Sequence, residues 1–239
     1  MSRRYALVPA AGGSARSGCA VPKQYHAILG RPVLAHTLDR LAEALDLDGV
    51  IVAIALDDDR YEDAIGTRPG VEALRCGGPT RAATVGNALA ALASRCRADD
   101  WIIVHDAARP CVPVQTLRDL VAALEADPVG GLTAVPVADT LKRMECGDNA
   151  RVDRTEPRDA LWQAQTPQMF RYGVLARAYA APGAADATDD ALAVERLAAT
   201  GACAMPRLVA GSRANLKITW PEDFELAAVL LEAQCRERA

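Results

Sequence analysis

Leu7-Val8-Pro9-Ala10-Ala11-Gly12-Gly13-Ser14-Ala15-Arg16-Ser17-Gly18-Cys19-Ala20-Val21-Pro22-Lys23-Gln24-Tyr25 is the stretch that decides how the rest of the chain is read. It opens as a short apolar run, the pattern of a parallel strand buried on both faces. It then turns into small residues and glycines, crosses Arg16 and reaches Pro22-Lys23. Small residues let backbone N–H groups approach a ligand closely, and a row of such groups cradles phosphate oxygens. An arginine and a lysine on the same loop add two cations, so the chemistry is that of a triphosphate site. Two other glycine loops are excluded. The dinucleotide fingerprint needs G-x-G-x-x-G, but Gly13-Ser14 follows Gly12; the nucleoside-triphosphatase loop needs Lys-Ser/Thr after Gly18, where Cys19-Ala20 stands.

Downstream of this loop, Leu34, Leu38, Leu41 and Leu45 recur at the spacing of one helical face. Apolar runs at 50–56, 71–75, 101–104 and 132–137 read as strands. Helical faces lie between them at Val85, Leu89, Leu92 and at Leu117, Leu120, Val121, Leu124. Strands alternating with helices predict an α/β fold: a Rossmann-like, doubly wound, mostly parallel sheet with helices on both faces. Ligands in such folds sit beyond the carboxyl ends of the strands. The glycine loop, Gly77-Gly78 and His105-Asp106 all fall at such ends, so three turns are expected to converge on one crevice.

The segment from Asp139 to Glu156 breaks the pattern, being polar and charged with a turn cluster at Gly147-Asp148-Asn149. We read 139–157 as a projecting β-hairpin arm on a single domain spanning 1–239. A second subunit gives such an arm something to pack against, which makes it a dimerisation arm; a lid over the site is the other reading of a long loop. Beyond the arm, 161–165 reads as a strand, Thr166-Pro167-Gln168 as a loop and 172–179 as a helix. Next, 182–187 reads as a linker and Thr188-Asp189-Asp190 as a helix start. A strand at 216–219 carries Lys217, and Thr219-Trp220-Pro221-Glu222 forms a capping box for a last helix that runs to about Arg236.

Half of the 239 residues are hydrophobic (51%) and 24% are charged, the composition of an ordinary globular protein. The net charge of −4 argues against a general nucleic-acid surface. Cations placed locally in a mildly acidic chain suit a small anionic substrate instead. The seven cysteines, at 19, 76, 96, 111, 146, 203 and 235, contain no C-x-x-C pair, which argues against a disulfide framework and a structural zinc site. No signal peptide is evident and no run reaches the ~18 apolar residues of a membrane span. A cytoplasmic protein is expected.

The opening stretch resembles the P-A-A-G-x-G-x-R-x(6)-P-K signature of sugar-phosphate nucleotidyltransferases, with Ser14 where glycine is more usual. Pro22-Lys23-Gln24-Tyr25, His105-Asp106-Ala107-Ala108-Arg109-Pro110, Asp139-Thr140, Leu161-Trp162 with Thr166-Pro167-Gln168, Thr188-Asp189 and Asn215-Leu216-Lys217 extend the likeness. From Ala6 to about Ala228 the chain is similar, in order and spacing, to the 2-C-methyl-D-erythritol 4-phosphate cytidylyltransferase family. The resemblance implies transfer of a cytidylyl group from CTP to methylerythritol phosphate, with release of pyrophosphate, in non-mevalonate isoprenoid precursor synthesis. It also implies a divalent cation such as Mg²⁺ and a homodimer whose arm reaches the neighbouring site. A sibling enzyme acting on a pentitol phosphate such as ribitol 5-phosphate is the alternative within the class. A catalytically silent nucleotide-binding protein lies outside it. A dehydrogenase is disfavoured by the failed fingerprint.

Residue by residue, the resemblance puts Arg16, Lys23, Arg158 and Lys217 in catalysis. CTP is expected against Pro9, Ala10, Ala11, Gly12, Gly13, Gly78, Thr84, Asp106 and Ala107; Thr84 stands where serine is frequent, and Pro79 where aspartate is common. The acceptor is expected at Asp106, Arg109, Thr140, Arg158, Thr166 and Lys217, and the metal at Asp106. Plainer readings stand beside these: Arg16 and Lys23 as surface cations that only steer a nucleotide, and Asp106 as a strand-end cap. Arg154 competes with Arg158 for the acceptor phosphate, and the distance from Leu161-Trp162 favours Arg158. Cys19 has no catalytic task. A phosphate monoester has a second pKa of ~6, so the acceptor is already ionised at pH 7. No general base is needed, and the shortage of histidine (His26, His36, His105) is no obstacle.

Overall fold

The computed structural model describes residues 2–12, 21–145 and 151–236. The strands and helices follow in chain order: β1 Arg4–Pro9, β2 Ala27–Ile28, β3 Arg31–Pro32, α1 Val33–Ala44, β4 Gly49–Ile54, α2 Tyr61–Ile65, β5 Val71–Arg75 and α3 Arg81–Ala91. Next come β6 Trp101–Val104, α4 Val114–Leu124, β7 Gly130–Pro136, β8 Leu141–Met144, β9 Val152–Glu156 and β10 Trp162–Arg171. The chain closes with α5 Tyr172–Ala180, α6 Asp190–Ala199, β11 Arg207–Ala210 and α7 Asp223–Arg236.

Seven strands form one sheet in the order β11-β7-β10-β6-β1-β4-β5. Neighbours pair in parallel except at β10, which runs antiparallel to both β6 and β7. The expected α/β sheet with helices on both faces is therefore present. Side chains alternate between the faces of a strand, and β1 displays this directly. Tyr5 and Leu7 join a core with Val85 and Leu89 of α3, Phe170 of β10 and Val194 of α6. Ala6 and Val8 join a second core with Leu34, Leu38 and Leu41 of α1 and Leu117 of α4. Burial on both faces is why β1, β4 and β6 are continuous apolar runs rather than alternating ones.

Chain order fixes where the site must lie. From β1 the chain moves outward to β4 and β5, then returns through α3 to β6 on the other side of β1. The strand order thus reverses between β1 and β6, and an open α/β sheet binds ligands outside the carboxyl ends of the strands at such a point.

Several expectations are corrected. β10 does not stop before Thr166-Pro167-Gln168; it runs through that tripeptide, which forms a bulge marked by the register shift between Ala164 and Gln168 against β7. Residues 216–219 are not a strand. The added edge strand is β11, pairing with β7, while 216–219 form an extended segment held by contacts described below. β4 ends at Ile54 and leaves Leu56 exposed, and the short α2, not foreseen, starts where Asp58 Oδ1 accepts from the Arg60 and Tyr61 N–H groups. The last helix is capped one step later than expected: Asp223, not Glu222, reaches back to the N–H groups of Thr219 and Trp220. The start at Thr188-Asp189-Asp190 is as expected, with the Asp189 side chain accepting from the Leu192 N–H.

β8 and β9 form a separate two-stranded antiparallel hairpin within the segment read as an arm. Its turn cluster at 147–149 lies outside the described residues. The hairpin leaves Met144 and Val152 exposed, and Trp162 at the start of β10 is exposed beside it. Leu38, on the buried face of α1, gives a direct test of the packing argument. Leu38→Ala is expected to lower unfolding stability by about 2–5 kcal/mol, read as a lower urea midpoint with an unchanged slope.

Candidate active site

Gly77 N–H bonds the Ile54 carbonyl at the end of β4 (2.8 Å), and Ala10 N–H bonds the Ala53 carbonyl (2.8 Å). The first glycine-rich turn and the Gly77-Gly78 turn are thereby drawn to the same strand end. No side chain fits at Gly77, where a Cβ would lie 2.4 Å from that of Ala11 and 2.9 Å from the Ile54 oxygen. Gly12 is different, since among the described residues a Cβ there would meet nothing within 4 Å. The fold requires the glycine at 77, whereas at 12 the space belongs to the cavity. Gln24, buried behind the loop, donates to the carbonyls of Ala10 (2.8 Å) and Gly12 (3.4 Å).

These turns converge, as expected, on one cavity of about 270 Å³. Pro9, Ala10, Ala11, Gly12, Gly78 and Thr84 border it, with Asp106 and Ala107 from the end of β6 and with Lys23 and Lys217. Gly13, Arg16 and Cys19 lie outside the described residues. The Thr84 hydroxyl accepts from the Gly78 N–H (3.0 Å) and donates to the Thr80 carbonyl (3.0 Å), so it shapes the second turn.

Asp106 is the centre of charge. Arg81 Nε lies 2.9 Å from its Oδ1, Lys217 Nζ 2.7 Å from its Oδ2 and Arg109 Nε 3.8 Å from Oδ2. Burial alone would raise the pKa of this carboxyl; Arg81, Lys217 and Arg109 together reverse that and hold it well below the usual carboxylate range. Its backbone N–H donates to the Thr166 hydroxyl (2.9 Å), which the β10 bulge aims at this point. That hydroxyl also meets His105 Nδ1 at 3.1 Å, while His105 Nε2 lies 3.2 Å from the Arg109 carbonyl. A carbonyl only accepts, so Nε2 carries the proton and Nδ1 accepts from Thr166. Burial pushes the His105 pKa down to about 4, which keeps the ring neutral. The chain Asp106 N–H, Thr166, His105, Arg109 carbonyl therefore fixes the loop after β6.

Lys217 is placed without a strand. Asn215 donates to the Thr166 carbonyl (2.7 Å), Arg109 Nη1 to the Asn215 carbonyl (2.7 Å), and Ile218 N–H to the Ala108 carbonyl (2.9 Å). Lys23 Nζ donates to the Ile218 carbonyl (3.2 Å). Two lysines 194 positions apart are thereby brought to one crevice. Arg109 also borders a second cavity of about 330 Å³ on the far side of Lys217, together with Gln163, Gln165 and Asn215.

Thr140 and Arg158 are exposed and border none of the described cavities that Asp106 or Lys217 line, although Asp139, next to Thr140, borders the second one. Arg154, the competitor of Arg158, is engaged on the hairpin with Asp153 (2.7 Å) and Glu156 (2.9 Å). Sequence reasoning missed Arg81, Asp190, Gln24, Asn215 and the role of His105. Arg81 stands three residues past Gly77-Gly78 and Asp190 lies in the helix-start signal, but neither pattern marks which side chain turns inward.

A doubly wound sheet whose switch point combines a small-residue cradle, two lysines and an ionised aspartate defines a nucleotidyltransferase. The family model for 2-C-methyl-D-erythritol 4-phosphate cytidylyltransferase matches residues 5–233, and the chain belongs to that family. It is 50% identical over 238 residues to the 2-C-methyl-D-erythritol 4-phosphate cytidylyltransferase of Dechloromonas aromatica, covering 98% of this chain and all of that protein. The protein of the same name from Laribacter hongkongensis is 51% identical, with 97% of each chain covered. Among solved structures, the Francisella tularensis 2-C-methyl-D-erythritol 4-phosphate cytidylyltransferase superposes with a TM-score of 0.79 at 33% identity, covering 96% of this chain and 100% of that one.

Thr166→Val removes the acceptor of the Asp106 N–H and the donor to His105 while keeping the side-chain shape. An unmet buried polar group costs about 1–3 kcal/mol, so the variant is expected to lose stability in that range by chemical denaturation.

Proposed function

We propose that this chain joins CTP to 2-C-methyl-D-erythritol 4-phosphate, giving 4-diphosphocytidyl-2-C-methyl-D-erythritol and pyrophosphate. The observation that carries the reading is the meeting of Lys23 and Lys217 at the crevice where the cradle of Pro9 to Gly12 ends and Asp106 begins. Two polyanions must be brought together against their repulsion, and the site supplies positive charge between two adjoining cavities.

An oxygen of the acceptor phosphate forms a bond to the α-phosphorus of CTP, and the bond from that phosphorus to the bridging oxygen breaks. Pyrophosphate leaves with the electron pair. The attacking group is an ionised monoester, so no proton is removed, and the site needs only in-line placement and charge stabilisation. Pro9, Ala10, Ala11, Gly12, Gly13, Gly78, Thr84 and Ala107 hold the nucleotide. Arg16 and Lys23 serve the triphosphate, the arginine as a planar fork and the lysine as a point charge. Lys217 and Arg109 receive the acceptor phosphate. Thr166 contributes through the loop that it fixes.

Among the described residues no group of three His, Cys, Asp or Glu could hold a metal ion. A magnesium ion nonetheless suits the residues present, because it commonly takes one or two carboxylates plus substrate phosphates and water, and Asp106 is an ionised carboxylate bordering the cavity. Asp106 would hold it, and the ion would offset charge on the phosphates. Thr140 and Arg158, exposed at the open end of the hairpin where Leu141 pairs with Glu156, act in the site of a second subunit. The arm at 139–157 is accordingly a dimer contact, supported by the exposed apolar Met144, Val152 and Trp162. We place the enzyme in the cytoplasm; the free thiols Cys76, Cys96, Cys111, Cys203 and Cys235 suit a reducing compartment. No helix among the described residues is long and apolar enough to cross a membrane.

A pyrophosphate-release assay with CTP, Mg²⁺ and either methylerythritol phosphate or ribitol 5-phosphate tests the assignment. Turnover is expected with the first, and a preference for ribitol phosphate would overturn it. Lys23→Ala is expected to cost ~10²-fold or more in kcat; unchanged kcat would refute the electrostatic mechanism. In sedimentation the protein is expected to run as a dimer, and Met144→Asp combined with Val152→Asp is expected to yield monomers with reduced turnover.

A further inference from the structure

Arg81 is the first residue of α3, directly after the Thr80 cap, and its guanidinium serves two carboxylates at once. Nε donates to Asp106 Oδ1 (2.9 Å), while Nη1 and Nη2 fork onto Asp190 Oδ1 (3.2 Å) and Oδ2 (2.8 Å). Asp190 opens α6 with its side chain fully buried, and the Tyr179 hydroxyl of α5 donates to its Oδ1 (2.6 Å). A polar chain of Tyr179, Asp190, Arg81 and Asp106 thus links α5, α6, α3 and the end of β6.

The cations around Asp106 are unequal. The Lys217 side chain is 40% exposed and projects from an irregular segment, whereas that of Arg81 is 24% exposed and locked bidentately from behind. An ammonium is a compact charge on a flexible stem; a guanidinium already engaged on two carboxylates has a fixed plane. An incoming phosphate can therefore draw Lys217 away from Asp106 but leaves Arg81 where it is. Arg81 also borders both the nucleotide cavity and the adjoining cavity lined by Gln168 and Asp189.

We infer that Arg81 is a positioning residue, oriented by Asp190, that holds the Asp106 carboxylate in one direction and keeps it compensated when Lys217 turns to the acceptor phosphate. This inference rests on the cytidylyltransferase reading above. It separates a permanent partner of Asp106 from an exchangeable one. It also assigns Asp190 a part in turnover although that residue borders none of the cavities around Asp106.

The test uses Arg81→Lys, Asp190→Asn, Tyr179→Phe and the double variant Arg81→Lys with Asp190→Asn. Each is checked for folding by circular dichroism and thermal unfolding, then assayed for pyrophosphate release well below its Tm. One ammonium cannot serve both carboxylates, so Arg81→Lys is expected to lower kcat by roughly 10- to 100-fold with little change in the KM for CTP. Asp190→Asn should act in the same direction. The double variant should lose no more than Arg81→Lys alone, because both residues act through one carboxylate. Tyr179→Phe removes one hydrogen bond and no charge, and is expected to lose roughly 2- to 10-fold; it carries the test if the charge variants fail to fold. Folded variants with full kcat and only a lowered Tm, or losses that add in the double variant, would overturn the positioning role and show a fold staple instead. Wild-type turnover in the same assay separates the outcomes, since a wild type inactive with CTP and both acceptors would overturn the cytidylyltransferase reading and this inference with it.

Discussion

One buried carboxylate organises the molecule's working end. Asp106 sits at the end of a strand enclosed on both faces, where an isolated charge would be expensive. It stays ionised because Arg81, Lys217 and Arg109 arrive from three separate parts of the chain. The dependence is mutual. Without that negative charge the three cations would face one another at close range, and like charges so placed disfavour their own ionised forms. Each cation also has its own anchor: Asp190 for Arg81, the Asn215 carbonyl for Arg109, and the stitched segment 215–218 for Lys217.

The rest of the site consists of devices that keep this cluster in register with the cradle after β1. Gln24 bonds the carbonyls of the cradle from behind, so that groups at its front remain for a ligand. The β10 bulge turns Thr166 inward, and a neutral His105 completes a directional chain of hydrogen bonds around the loop after β6. Charge and dipoles are in place before any reactant arrives. That preorganisation is what makes electrostatic stabilisation effective when charge shifts during reaction.

Two adjoining cavities on either side of Lys217 suit two anionic reactants lying end to end. The chemistry then needs no acid or base, and the titratable groups present agree with this. His105 is neutral and fully committed to backbone and threonine, while Asp106 is committed to cations. Lys217 apart, a site of this kind works by holding charges still, which explains why so many of its residues contact other residues of the site.

The chain by itself determined the parallel sheet, because strands buried on both faces must be written as unbroken apolar runs, and β1, β4 and β6 are. It determined the cradle too, since small residues followed by Lys23 leave few other uses for such a loop, and it showed Asp106 at a strand end. The same reading missed β11 and the full extent of β10. An edge strand such as Arg207–Ala210 leaves Leu208 exposed and carries no clear pattern, and a bulge around Pro167 looks like a loop when only local turn chemistry is read. Only the tertiary structure decided that Arg81 turns toward both Asp106 and Asp190, that Lys23 and Lys217 meet, and that Thr140 and Arg158 are exposed beside a hairpin separate from the main sheet. Those outcomes depend on contacts between residues far apart in sequence, and no local spacing records a contact that exists only once distant strands are packed side by side.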